Sequence, residues 1–251
     1  MLLSVILITW NGRELLAECL KSMAFLMARA DVEIFVVDNG SEDGTVDFLR
    51  NRYPAVKVIP LGSNYGVAYA RNRALERACG RYLWILDNDT EINPDVFYGM
   101  LHYMEEHPDV GLAGCRLIDA DGLVQESCKR YPGIGEKIRN LLLKKGYRYA
   151  YGLKRMEENF EPEYVIGACQ FIRREAYEAA GPLDEKIFYG PEDADFCIRI
   201  HSAGYRIMYL PGFTVLHHCQ RISRARVFSF IRRSLGSGAR RLRCQLCGTA
   251  G

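Results

Sequence analysis

The first 90 residues alternate between short apolar runs and amphipathic stretches. Runs at 2–8, 32–37, 55–59 and 82–86 are rich in β-branched residues and bounded by turn formers, as strands buried on both faces should be. Between them Leu15, Leu16, Cys19, Leu20 and Met23 fall at helical spacing, and so do Val67, Ala70, Ala74, Leu75 and Ala78. Strand alternating with helix predicts βαβ units, right-handed crossovers and a parallel sheet. Ligands of such sheets sit beyond the carboxyl ends of the strands. There the chain is polar: Thr9-Trp10-Asn11-Gly12-Arg13, Asp38-Asn39-Gly40-Ser41-Glu42-Asp43-Gly44-Thr45 and Asp87-Asn88-Asp89-Thr90. Farther on the pattern changes. Asp119–Gly122 predicts a hairpin turn between strands at 111–118 and 123–127. Residues 129–162 read as a long variable loop with a short helix near 136–145. A strand at 164–172, helices at 173–180 and 192–203, and strands near 205–209 and 213–217 complete the domain.

Composition fits a soluble globular protein: 251 residues, 49% apolar and 25% charged. No apolar run approaches the roughly 20 residues that cross a bilayer. Met1–Thr9 lacks a basic leader and a cleavage site, so it reads as a buried strand, and a reducing cytoplasmic setting is expected for the nine cysteines. Cys244 and Cys247, with Cys219 and His217 or His218, form a weak candidate zinc set, against unpaired thiols in a tail. The net charge of +2 hides an asymmetry: residues 1–195 carry 23 basic and 31 acidic side chains, and 196–251 carry ten arginines and no acid. Within a basic tail at 220–251, Phe228, Ile231 and Leu235 fall at helical spacing beside Arg232 and Arg233. Such a helix suits the anionic inner face of a membrane, the alternatives being a solvated tail or a helix packed on the domain. The basic residues are confined to the end and the core is acidic, which disfavours nucleic acid as a partner.

Four segments carry candidate chemistry. In extended Asp87-Asn88-Asp89 the outer carboxylates point the same way, which suits Mg²⁺ or Mn²⁺ held largely by substrate phosphates. The competing reading is a polar strand exit, with Thr90 and Asn93 before Pro94 capping a helix. Glu192-Asp193-Ala194-Asp195 opens a helix, where the dipole favours acids; three carboxylates in four residues also repel one another, which raises a pKa and suits a general base. Arg199, four residues after Asp195, predicts an ion pair along that helix. Asn64-Tyr65-Gly66 opens the helix bearing Arg71, so its amides and the guanidinium suit a diphosphate, against an ordinary helix with a surface arginine. His217-His218 ends a strand, where a structural histidine is the commoner case. Neither a P-loop nor a G-x-G-x-x-G fingerprint occurs, which removes the usual ATPase and dinucleotide readings.

Taken in order, these segments resemble the family 2 inverting glycosyltransferases of GT-A fold over about residues 3–218. The resemblance rests on Val36–Thr45, Asn64-Tyr65-Gly66 with Ala70-Arg71-Asn72, Asp87-Asn88-Asp89, Gly181–Glu185, Glu192–Arg199, Gly204-Tyr205-Arg206, Pro211-Gly212 and His217. The set is similar to bacterial rhamnosyltransferase-type enzymes. It implies an α/β fold with a Rossmann-like, mostly parallel central sheet flanked by helices, and a smaller acceptor-side subdomain. The GT-A domain would span 1–219, with a nucleotide-sugar half at 1–93 and an acceptor-side half at 94–219.

The implied activity is metal-dependent transfer of a sugar, with inversion, from a UDP- or dTDP-sugar to a hydroxyl of a glycan or lipid-linked acceptor in cell-surface polysaccharide synthesis. The alternatives are a catalytically idle GT-A binding or scaffold module, and a nucleotidyltransferase; the latter would want a Gly-rich phosphate loop with a lysine, which Thr9–Gly12 does not supply. By the resemblance, Asp38 binds the nucleoside with Thr9 and Asn11 lining the base pocket. Asn64, Arg71, Asp87 and Asn88 complete the nucleotide-sugar side. Asp89 and His217 face the metal, Mg²⁺ or Mn²⁺. Asp193 is the base, Glu192 and Asp195 frame the acceptor, and Gly167 leaves space for substrate. The protein would work in the cytoplasm, at or near the inner face of the membrane.

Overall fold

The computed structural model describes residues 1–131, 151 and 155–218. The short helix expected near 136–145 and the tail at 220–251, with Cys219, Cys244 and Cys247, lie outside the described residues.

Strands β1 (Leu3–Thr9), β2 (Val32–Asp38), β3 (Lys57–Pro60) and β4 (Tyr82–Asp87) lie parallel in the order β3-β2-β1-β4. Helices α1 (Arg13–Ser22) and α2 (Ala24–Met27) link β1 to β2; α3 (Thr45–Arg52) and α4 (Val67–Leu75) make the next two crossovers. The sheet is covered on both faces, which is why these strands read as continuous apolar runs. Leu3, Val5 and Leu7 of β1 join Trp84, Leu86 and Phe97 in one core, while Ile6 joins Val37, Leu83 and Ile85 in the other. The chain passes from β1 outward to β3 and then back to the far side of β1. This makes the β1–β4 boundary the switch point where a ligand crevice forms.

After the two-residue β5 (Thr90–Glu91) comes α5 (Pro94–Glu106), capped by Asn93, whose side chain accepts from the Val96 amide at 3.0 Å, with Pro94 in the first turn. Then β6 (Val110–Ile118) turns through Asp119–Gly122 into β7 (Val124–Gln125), the hairpin the sequence predicts. A small second sheet pairs β8 (Cys128–Lys129) with β9 (Tyr164–Val165). The main sheet is completed by β10 (Cys169–Arg173), which is antiparallel between β4 and β6, and by β11 (Arg206–His217), parallel to β6. Helices α6 (Arg174–Ala180) and α7 (Glu192–Ser202) pack on one face.

Two expected boundaries differ. The run 164–172 is not one strand: Tyr164–Val165 joins β8, Ile166-Gly167-Ala168 breaks away, and pairing with β4 begins at Cys169. The cause is a long-range contact, because Gly167 lies against the guanidinium of Arg71, where a Cβ would clash. Conversely, 205–209 and 213–217 are one strand. Pro211-Gly212 reads as a turn, yet β11 absorbs it as a register shift between Leu210 and Thr214 and continues along β6. That continuation places His217 opposite Thr90 of β5, beside Asp89. Among the described residues no helix is long and apolar enough to cross a membrane, and Cys19, Cys79, Cys115, Cys128, Cys169 and Cys197 are free thiols, all but Cys79 buried.

Candidate active site

The carboxyl ends of β1, β2 and β4 are level: Thr9 stands opposite Asp38, and Ile8 opposite Asp87. On the β2 side Asp38 is 2% exposed; one carboxylate oxygen accepts from the Ser41 amide at 3.1 Å, and Oδ1 has no hydrogen-bond partner among the described residues. A buried, unpartnered acceptor costs stability, so it marks a place for a donor group on a ligand. Asn11, at φ 52°, donates its amide to Ser41 Oγ and accepts from the Glu42 amide, both at 2.8 Å, tying the β1 exit to the β2 exit. Asn88 donates its side-chain amide to Thr9 Oγ1 at 3.0 Å, above Gly12, where a Cβ would come within 2.5 Å of it. Asn64 accepts from the Asn39 side chain and the Gly66 amide, both at 3.0 Å. Its carbonyl oxygen thus fixes the turn that opens α4.

Arg71 is the hub. Its side chain is 4% exposed, and Nη2 donates to Asp87 Oδ1 and to the Gly167 carbonyl, both at 2.9 Å, while Nη1 reaches Glu192 Oε1 at 3.4 Å. The guanidinium is therefore buried among acids of β4 and α7 and spans the two halves of the chain. Gly167 complements it, because its small size admits Arg71 and its amide donates to Asp193 Oδ2 at 3.3 Å. The space this glycine leaves, expected for substrate, is filled by Arg71.

Asp87, Asp89 and His217 converge. His217 Nε2 lies 3.4 Å from Asp89 Oδ1 and 4.0 Å from Asp87 Oδ2, and the three ligand atoms lie within 4.8 Å of one another. With Mg²⁺–oxygen bonds of about 2.0–2.1 Å in an octahedron, ligand atoms of one coordination sphere stand about 3 Å apart when adjacent and about 4 Å when opposite. Two carboxylates and an imidazole thus fit a divalent cation in spacing and in chemistry. Burial raises the Asp87 carboxyl above its ordinary value; Arg71 opposes the rise and Asp89 adds to it. At His217 burial disfavours the charged ring, but the hydrogen bond and charge of Asp89, helped by Asp87, outweigh it and raise the pKa.

Glu192 and Asp193 open α7 next to this cluster. Asp193 accepts from the Ala194 amide at 2.8 Å as well as from Gly167. Burial raises its carboxyl, opposed by those backbone donors and by Arg71. Glu192 is pushed up to about 7, by burial first and by the Asp193 charge second, against Arg71, and its Oε2 has no hydrogen-bond partner among the described residues. Asp195 is engaged elsewhere: it accepts from Arg199 Nε at 3.0 Å, the ion pair predicted from their spacing, and Arg199 is anchored to the carbonyls of Ala180 and Gly181.

Two residues carry no signal in the sequence. Gln125 grips His217 through both ends of its amide, at 2.7 Å each. Tyr189, 58% exposed, stands within the fields of Asp87, Glu192 and Asp193; desolvation and those charges raise its phenol. Neither belongs to a recognisable spacing, and only the fold brings them to the site.

A titration follows from Glu192. A carboxyl whose pKa rises from 4.5 to about 7 on folding binds more protons in the native state across that window. Native stability therefore falls as pH rises through the window and levels off above it. Glu192→Gln removes this dependence, so its melting temperature should gain on wild type between pH 5 and pH 8. A gap that is the same at both pH values in thermal unfolding would contradict the assignment.

The sequence matches the family model "Glycosyl transferase family 2" over residues 4–181. It is 30% identical over 234 residues, 86% of this chain and 76% of the relative, to the N-acetylglucosaminyl-diphospho-decaprenol L-rhamnosyltransferase of Mycobacterium tuberculosis. Among solved structures it resembles the mannosyltransferase PcManGT from Pyrobaculum calidifontis, in complex with GDP-Man and Mn²⁺, with TM-score 0.64, 24% identity and coverage of 92% of this chain and 60% of that one. It also resembles residues 1–349 of S. aureus TarS in complex with UDP-GlcNAc, with TM-score 0.62, 20% identity and coverage of 86% and 58%. The chain thus spans about 60% of the length of these solved structures. The two likenesses are of architecture, that of the GT-A glycosyltransferases. With the family matched across most of its length, the chain belongs to glycosyl transferase family 2.

Proposed function

We propose that this chain transfers a sugar, with inversion, from a nucleoside-diphosphate sugar to a hydroxyl of a glycan or lipid-linked acceptor in cell-surface polysaccharide synthesis. The observation that carries this reading is the convergence of Asp87, Asp89 and His217 with Glu192 and Asp193 around Arg71. Its mycobacterial relative's name favours a rhamnosyl-type donor, while the sugar nucleotides in the solved neighbours favour the donor class in general. An idle binding or scaffold module is the weaker reading, because crowded buried carboxylates are costly to fold and serve no purpose in a decayed site.

The nucleoside enters at the ends of β1 and β2. Asp38 Oδ1 takes a donor group of the base, Thr9 and Asn11 border that pocket, and Asn64 and Asn88 hold the surrounding turns. Asp89 and His217, with Asp87 beside them, would hold Mg²⁺ or Mn²⁺, which would supply positive charge for the departing diphosphate. Arg71 holds Asp87 through Oδ1 and opposes the rise that burial imposes on its carboxyl. Across the cleft Glu192 holds the proton that two adjacent buried acids cannot both release near neutrality, which leaves Asp193 ionised. Asp193 then removes the proton of the acceptor hydroxyl as that oxygen attacks the anomeric carbon from the face opposite the diphosphate. Glu192 borders the acceptor position, and Gly167 serves it indirectly by admitting Arg71 and donating its amide to Asp193. The cytoplasmic face of a membrane, reached through the basic tail, is the setting that suits a lipid-linked acceptor.

Calorimetry tests the donor half. UDP and dTDP titrated with Mn²⁺ should bind wild type, and Asp89→Ala should weaken the Mn²⁺-dependent part at least tenfold. Unchanged affinity with Mn²⁺ would remove Asp89 from the nucleotide site.

A further inference from the structure

Gln125 lies in β7 and His217 at the end of β11, on opposite sides of β6: Leu117 pairs with Gln125 on one side and with Val215 on the other. The Gln125 side chain crosses this strand end and meets His217 twice. A backbone carbonyl can only accept, so the group 2.7 Å from the His217 carbonyl oxygen is the amide nitrogen of Gln125. The other end, 2.7 Å from His217 Nδ1, is then the Gln125 carbonyl oxygen, and Nδ1 must carry the proton. In the neutral ring the bare nitrogen is Nε2, directed at Asp89 Oδ1 and Asp87 Oδ2. A lone pair facing two carboxylate oxygens is repulsive, so Nε2 either carries a second proton shared with Asp89 or faces a cation seated among the three groups. The neutral tautomer that Gln125 selects is therefore the one able to ligate a cation between those groups.

We propose that Gln125 is a positioning residue for the cation site: it fixes the tautomer and the ring orientation of His217 so that Nε2 is presented to a divalent cation shared with Asp89. The inference rests on reading Asp87, Asp89 and His217 as that site. Ligating histidines generally donate their second N–H to a fixed acceptor, and loss of such a partner typically costs about 10–100-fold in metal affinity. The competing role is mechanical, an amide that merely fastens β7 to β11. The two roles separate in Gln125→Glu, which keeps an acceptor for the Nδ1 proton but has no donor for the His217 carbonyl.

The test titrates full-length protein with Mn²⁺ alone and counts free ion by electron paramagnetic resonance. Wild type, Gln125→Glu, Gln125→Leu and Asp89→Ala are compared, with thermal unfolding as the control for folding. Gln125→Leu should weaken Mn²⁺ about 10–100-fold, and Gln125→Glu should stay within about threefold of wild type although it loses the strand-fastening bond. In ¹⁵N-histidine spectra of wild type with Mg²⁺, His217 should be protonated at Nδ1. Wild-type affinity in folded Gln125→Leu, with Asp89→Ala weakened, overturns the role of Gln125 alone. So does Gln125→Glu failing as badly as Gln125→Leu, or a His217 ring protonated at Nε2 in the Mg²⁺ sample. Unchanged affinity in Asp89→Ala as well overturns the cation site and this role with it.

Discussion

Asp193→Asn should lower kcat by about 10²–10⁴-fold, the usual contribution of a positioned general base, while the donor dissociation constant stays within about threefold of wild type. The substitution is nearly isosteric. The side-chain oxygen of Asn can still accept from the Ala194 amide that now holds Asp193 at 2.8 Å. An amide cannot take up the hydroxyl proton of an acceptor, so binding survives and attack does not. The separation of kcat from donor affinity is the informative result, since a misfolded cleft would lose both. Steady-state kinetics paired with calorimetry on the same sample checks it. Near-wild-type turnover would remove Asp193 as the base and turn attention to Glu192, whose free Oε2 and pKa of about 7 make it the nearest substitute.

The second large effect is expected at Arg71. Its guanidinium is buried between Asp87 and Glu192 and also donates to the Gly167 carbonyl. Removing one member of a buried ion pair leaves an uncompensated charge and typically costs about 3–5 kcal/mol. Arg71→Met fills similar volume without the charge; Glu192 holds a proton at pH 7 and the Asp87 side chain is 34% exposed, so the lower end applies and urea denaturation should show a loss of about 3 kcal/mol, accompanied by loss of transfer. Arg71→Lys should rescue little, because one ammonium on a flexible stem cannot reproduce a planar fork that spans β4, α7 and the Gly167 loop. A stability change under about 1 kcal/mol in Arg71→Met would mean that water replaces the guanidinium and that the hub is not dry.

The nucleotide half of the fold is legible in the chain because its strands are buried on both faces. Continuous runs such as Ser4–Ile8 and Leu83–Leu86 leave little choice of element, and the polar residues that end them, Thr9, Asp38 and Asp87, fall level at one edge. The Asp195–Arg199 pair is equally readable, since helical spacing alone decides it. Long-range packing hides the rest. Arg71 reads as a surface arginine suited to a diphosphate because nothing local announces that Gly167 and Glu192, both far along the chain, close over it. Ile166-Gly167-Ala168 looks like the middle of a strand, and only the contact with Arg71 explains why it leaves the sheet. Pro211-Gly212 carries ordinary turn chemistry, overridden by the pull of β6 on both flanking segments. Gln125 is a lone amide in a short hairpin strand, and its two bonds to His217 exist only once β7 and β11 flank β6.

The central claim is spatial: the diphosphate leaves on the side of Asp89 and His217, and Asp193 works on the opposite face of the sugar. The anomeric configuration of the product reports this directly. When a donor and acceptor that support turnover are incubated with the protein, nuclear magnetic resonance of the purified product should give the configuration opposite to that of the donor, from a single displacement. A product that retains the donor's configuration would contradict the account, since it requires a second displacement that Asp193, acting only as a base, does not provide.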